Sequence, residues 1–249
     1  VKIVTIIALA VLGVVSSATT MWAVVRPDRM LVEHVRFVGA DHAGAAELRH
    51  LMDLRNGTRM WEVDEADLER RVASHPWVRR AEVSIGWPDA VVVEVEEREV
   101  VAVVHTDRMM VIDRDGTPFL PAGSDDLDHP HITGITPDVQ RLHPDVAGMA
   151  VRDALWLIEQ MELRGLASAP ISEVAFSTTR GFTVFHGRAR LVFGHGDLSR
   201  QLDRLERLAR EQGLDLAGPT LVDLAPASVA LVRPLLPSDA RPVGAAQGS

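Results

Sequence analysis

The stretch HPWVRRAEVSIGWPDAVVVEVEER, residues 75–98, constrains the fold more than any other part of the chain. Ala81, Val83, Ile85 and Trp87 alternate with Glu82, Ser84 and Gly86, and beyond a Trp-Pro-Asp turn Val91, Val93 and Val95 alternate with Val92, Glu94 and Glu96. A period of two over both arms means two strands, each with one dry and one wet face. Pro88 presets φ for the turn and Asp89 suits the next position. Helices must cover the dry face, and the residues upstream supply them. Asp64 can cap a helix running to about residue 74, with Val63 and Leu68 at the spacing of a hydrophobic staple and Pro76 to stop it. A second helix over about residues 45–54 turns Leu48, Leu51 and Met52 inward. Before it, residues 31–39 alternate again, with Val32, His34 and Arg36 against Glu33, Val35 and Phe37. The predicted order over residues 27–98 is β-α-α-β-β, long enough to bury a small core.

From residue 99 to 233 the pattern predicts more strands than helices. Residues 100–106 and 108–116 read as a strand pair, with Asp115-Gly116 marking the next turn. A polar stretch, 121–130, precedes HPHITGI, and an amphipathic helix follows over about 145–164, ended by Gly165. Strands are predicted at 171–177, 181–186 and 190–194, then a helix at 198–212 ending at Gly213, then strands at 220–224 and 229–233. Residues 234–249 lack periodicity and read as a mobile tail.

The run that opens at Ile3 and closes at Val25 carries no charge. As a helix of 23 residues it would span about 34 Å, enough for a bilayer core, with Trp22 near the outer interface. A cleaved signal peptide is the rival reading, given Lys2 and the small residues Ser16-Ser17-Ala18. The run continues seven residues past Ala18, which favours an uncleaved anchor over residues 1–26.

Composition removes several functional classes. The net charge of −9 argues against nucleic acid as the main partner, because phosphate binding needs a basic face. No cysteine is present, so disulfides and thiolate metal sites are excluded. No nucleophile elbow, phosphate loop or dinucleotide fingerprint occurs. His129 and His131 sit near Asp125, Asp126 and Asp128 at a spacing known from metal sites, but a solvated loop explains them as well, and no metal or cofactor is expected. Gly194-His195-Gly196-Asp197 reads as a strand-to-helix turn with Asp197 as cap rather than a phosphate site.

The order of elements, with HPWVRRAEV and WPDAVVVEVEER directly after a single anchor, resembles the POTRA domain of the FtsQ/DivIB family of bacterial cell-division proteins. The likeness continues through MMVIDRDGTPF, HPHITG, GFTVFHGRARLVFG and LVDLAPASVALVR, and so covers nearly the whole chain. It implies an α+β protein with a single N-terminal transmembrane helix, a POTRA domain, and a mixed β-sheet domain with two helices. It also implies a non-enzymatic divisome scaffold acting in septum formation. Such a protein would be single-pass in the bacterial inner (plasma) membrane, with its folded domains extracytoplasmic. Its partners would be FtsB- and FtsL-type membrane proteins, with no nucleic acid or small-molecule substrate. The alternative is a POTRA-bearing chaperone or transport component. Those proteins usually place POTRA before a long β-barrel, and only about 130 residues with two helices follow here.

Two surfaces are expected to carry the function. One is the hairpin surface, Trp87, Pro88, Glu94 and Glu96. The other is the final strand, Val229, Ala230, Leu231, Val232 and Arg233, beside Asp223, Leu224 and Ser228. A strand that ends the folded region is expected at a sheet edge, where unpaired N–H and C=O groups await another strand. The chain departs from the family in one place: Ala225 and Pro226 stand where the family has an Arg-Tyr pair, and the chain has no tyrosine at all.

Overall fold

The computed structural model describes residues 30–55 and 57–236, together with Gly13, Val15, Ser16 and Asp239. The predicted anchor, including Ile3 and Val25, lies outside the described residues apart from those three positions. Among the described residues no helix is long and apolar enough to cross a membrane. The chain divides into two compact units, one ending at Arg98 and the other starting at Glu99.

In the first unit, β1 (His34–Val38), α1 (Ala45–Met52), α2 (Glu65–Val72), β2 (Val78–Gly86) and β3 (Ala90–Glu97) follow in the predicted order. The three strands form one sheet in the order β1-β3-β2, with β1 parallel to β3 and β2 antiparallel to it. Asp64 accepts the Asp67 N–H and caps α2, while Leu68 is buried and Val63 packs against the core. Val83, Val91, Val93 and Val95 are buried with Leu48, Met52 and Val72 beneath the helices. Two residues of the expected dry face depart from it: Ile85 is half-buried and Trp87 is 58% exposed. The strand ends at Gly86, so the alternation stops before Trp87 reaches the helices.

Glu97 ties the end of β3 to the loop before α1. Its carboxylate accepts the Ala43 N–H at 2.7 Å, the His42 N–H at 2.8 Å and the His42 ring at 2.8 Å. Burial alone would raise its pKa, but these bonds hold it below the usual carboxylate range.

The burial pattern separates two variants. Val93→Ala is expected to destabilise this unit by about 2 kcal/mol, from lost burial and the void left behind, because Val93 is fully buried. Glu94→Ala is expected to change stability by less than about 0.5 kcal/mol. Glu94 is exposed and stands directly opposite Glu82, so its removal also relieves a like-charge pair. Denaturant melts of both variants check the pair.

The second unit is a nine-stranded mixed sheet. Its strands are β4 (Ala102–His105), β5 (Met109–Ile112), β6 (Pro118–Pro121), β7 (His131–Thr133), β8 (Ile171–Ser177), β9 (Gly181–His186), β10 (Ala189–Phe193), β11 (Thr220–Asp223) and β12 (Leu231–Pro234). Across the sheet they run β12-β11-β10-β9-β8-β7-β4-β5-β6. Three helices accompany them: α3 (Pro137–Leu142), α4 (Pro144–Leu163) and α5 (Leu198–Gln212). Two were expected; the third, α3, is six residues long and Thr136 caps it. It stops at His143 because the residue before Pro144 is driven out of helical geometry and Pro144 offers no N–H. Leu157 and Met161 of α4 and Leu202 and Leu205 of α5 share one buried cluster with Val174, Val184, Leu191 and Val222 of the strands. The helices therefore cover one face of the sheet. Asp197 accepts the Arg200 N–H and caps α5, as the turn reading expects.

Candidate functional site

Sheet edges decide where another chain can pair, and each edge here is built differently. In the N-terminal unit both edges are met by side chains. Glu69 of α2 accepts the Val83 N–H of β2 at 3.0 Å, and Arg49 of α1 donates to the Val35 carbonyl of β1 at 3.3 Å. In the C-terminal unit the β6 edge is four residues long and has proline at both ends, Pro118 and Pro121. The opposite edge is β12. All four of its residues are exposed, and Val229, Leu231, Val232 and Leu236 place apolar side chains in solvent around it.

The register of β12 identifies its free groups. It pairs antiparallel with β11: Asp223 with Leu231, Val222 with Val232, Leu221 with Arg233 and Thr220 with Pro234. The Leu235 N–H donates to the Pro219 carbonyl at 2.8 Å, so the odd-numbered residues form the hydrogen-bonded pairs. Leu231 and Arg233 therefore bond inward to β11, and the N–H and C=O of Val232 point outward. Pro234 occupies the other outward position, where its missing N–H costs the ladder nothing. Val232 lies opposite the fully buried Val222, on the helix-covered face, while Leu231 and Arg233 project from the other face.

Arg204 of α5 holds the loop that leads into this edge. Its guanidinium donates to the carbonyls of Leu224 at 2.6 Å, Pro226 at 2.7 Å, Ala227 at 3.1 Å and Val229 at 3.5 Å. Asp223 closes the start of the loop by accepting the Ala225 N–H at 2.9 Å. Arg204→Ala is expected to destabilise the unit by about 1–2 kcal/mol, because charge-assisted bonds are lost to four carbonyls, of which water can replace those to Pro226, Ala227 and Val229 but not that to the fully buried Leu224. It is also expected to speed hydrogen exchange at Leu231 and Arg233 while the Val184 and Leu191 amides stay protected. Residue-resolved exchange checks both effects.

At the far end of β12, Arg233 makes a two-pronged pair with Asp239, at 2.6 and 2.8 Å. Asp239 also accepts the Leu236 N–H at 2.8 Å. The Arg233 guanidinium and this N–H hold the Asp239 carboxyl far below its usual range. The segment expected to be a tail from residue 234 thus begins with ordered contacts.

Leu231, Val232 and Arg233 lie on the edge strand. Val229 and Ala230 precede it, since the Val229 carbonyl is drawn to Arg204. Ser228 is exposed in the held loop and Asp223 belongs to β11. Leu224 is fully buried, so its side chain packs the core instead of meeting a partner. Trp87, Pro88, Glu94 and Glu96 are all exposed on the N-terminal unit. His131 does not meet the aspartates of its loop; its Nδ1 lies 2.7 Å from Nε2 of His105. Arg204, Arg49 and Glu69 were not among the expected residues. A side chain reaching carbonyls 20–25 residues away leaves no local sequence pattern.

A groove of about 740 Å³ in the C-terminal unit is lined by charged residues, among them Arg114, Asp115, His129, Arg152 and Glu159. No serine, threonine or cysteine lines it.

Comparison with known proteins agrees with this architecture. Residues 30–98 match the FtsQ-type POTRA domain. The chain is 32% identical over 199 residues to the cell division protein FtsQ of Myxococcus fulvus, covering 79% of this chain and 70% of that protein. The chain belongs to the FtsQ family of cell division proteins. The FtsQ of an Anaeromyxobacter strain is 31% identical over 207 residues, or 82% of this chain and 70% of its own length. That of Geotalea daltonii is 30% identical over 182 residues, or 72% and 66%. The first unit is the family's POTRA domain, and the FtsQ matches extend over most of this chain. The chain's role, as an FtsQ-family member, is in cell division.

Proposed function

We propose that this chain is a membrane-anchored, non-enzymatic scaffold of the bacterial divisome, and that the outer edge of β12 captures an extended segment of a partner. The observation that carries this reading is the contrast between edges. The POTRA edges are met by Glu69 and Arg49, and β6 is bounded by prolines. At β12 the backbone groups of Val232 face outward among exposed apolar side chains. A strand added there gains backbone hydrogen bonds whatever its side chains, which accommodates the missing tyrosine. Family resemblance supports FtsB- and FtsL-type proteins as the partners. The uncharged run from Ile3 to Val25 supports an inner-membrane anchor, with both folded units on the extracytoplasmic side. Trp87, Pro88, Glu94 and Glu96 offer a second, POTRA-borne surface for other divisome proteins.

The absence of native cysteine makes this testable in cells. Leu231→Cys, treated with a thiol-to-amine cross-linker in intact spheroplasts, is expected to trap a single-span division protein. Met149→Cys, equally exposed on α4, is expected to trap none. Equal trapping at both positions, or none at Leu231, contradicts the proposal.

A further inference from the structure

We propose that Glu33, His34 and Asp89 form a binding site for one divalent metal ion, Zn²⁺, at the tip of the POTRA unit. Residues 33 and 34 enter β1, and residue 89 lies in the turn between β2 and β3. One ligand-type atom from each side chain lies within 4.8 Å of the other two. Zinc bonds of about 2.0–2.2 Å require ligand atoms roughly 3.3 Å apart in a tetrahedron, a distance that small side-chain rotations reach from here.

The backbone needs no movement. The Glu33 and His34 N–H groups both donate to the Asp89 carbonyl, at 2.9 and 3.1 Å, and His34 is in register with Ala90. The three residues are therefore fixed beside one another before any ion arrives.

Electrostatics points the same way. Several acidic side chains of this unit have cationic or histidine partners, among them Glu47 with His75, Asp67 with Arg70 and Arg71, Glu82 with Arg80, Glu96 with Arg79, and Glu97 with His42, while Asp41, Glu65 and Glu94 have none among the described residues. Glu33 and Asp89 have no such partner among the described residues, and neither they nor His34 make a side-chain hydrogen bond there. Two carboxylates held this close repel each other, and a dication would replace that repulsion with two attractive contacts.

One imidazole nitrogen with two carboxylate oxygens suits zinc. Magnesium and calcium favour oxygen-only shells, and the chain has no thiolate to offer softer ions. Three protein ligands leave the fourth position to water or to a side chain of a bound partner. An ion here would clamp the start of β1 to the hairpin turn. The sequence alone predicts no metal site, because His34 reads as one more residue of an alternating strand.

Calorimetry on tag-free full-length protein in detergent, titrated with zinc chloride, tests the site. One equivalent is expected to bind, and excess magnesium should not displace it. His34→Ala and Asp89→Asn are each expected to weaken binding by about 10-fold or more. Asp89→Asn keeps the carbonyl that receives both N–H groups, so the turn should stay folded. His131→Ala is the control, since His131 and His105 form a close histidine pair in the other unit, outside the proposed site. No binding overturns the proposal. So does zinc binding that survives both ligand variants or is lost with His131→Ala.

Discussion

Proline at Val232 is expected to abolish partner capture while the C-terminal unit melts almost normally, and proline at Leu231 is expected to damage the unit itself. The difference follows from one residue of register. Val232 stands opposite Val222 at a position that exchanges no bonds with β11, so its N–H belongs to the outer edge. Proline there removes the donor an incoming strand would use and leaves the internal ladder intact. Partner affinity should fall by at least about 10-fold, because a buried carbonyl of the added strand would lose its donor. Leu231 stands opposite Asp223 at a bonded position. Proline there deletes a ladder bond and forces its ring against β11, at about 3 kcal/mol. Thermal melts of both variants with pull-down of the partner from membranes separate the two effects. Identical behaviour would mean that the β11–β12 register is wrong.

Gly134→Ala is expected to be among the most damaging single substitutions in the chain, with a loss above about 3 kcal/mol. Gly134 follows β7 with φ of +85°. A Cβ there would lie 1.9 Å from the Phe176 carbonyl oxygen and 2.9 Å from its carbon, and both are backbone atoms of β8. No side chain can swing aside to relieve the clash, so β7 must part from β8. In the sheet order β7 is the link between β8 and the β4-β5-β6 group, and moving it divides the sheet. Gly165→Ala supplies the comparison. Its φ is +66°, but nothing lies within 4 Å of the added carbon. Only backbone strain remains, about 1 kcal/mol. Denaturant midpoints of the two variants should differ widely; similar values would contradict the packing of β7 on β8.

Where side chains alternate over a long enough stretch, the chain could be read directly. Both arms of the POTRA hairpin, the strands at 171–177 and 181–186, and the helix at 198–212 lie where periodicity places them. Shorter elements escape that reading. Pro118–Pro121 looks like a loop because it holds two prolines, which only an edge strand tolerates. His131–Thr133 is too short to show a period, and the six residues of α3 hide behind Pro144. The parallel pairings β4–β7, β7–β8 and β10–β11 join residues far apart in sequence, so sheet order was not legible at all. The candidate site divides along the same line. That the last strand ends the fold, and so lies at an edge, is a local inference. That it starts at Leu231 rather than Val229 depends on Arg204, a residue on another element. Leu224 shows the limit of reading by family position: its segment matched, but its side chain is core.

Residue-resolved hydrogen exchange at Val232, with and without the captured partner, shows whether a strand adds at β12. Amides that face solvent exchange fast, and those in a ladder exchange slowly. Fast exchange is expected at Val232 in the free protein, with Leu231 and Arg233 already protected, and a slowing at Val232 when the partner binds. Partner binding that leaves Val232 exchange unchanged would contradict strand addition at β12.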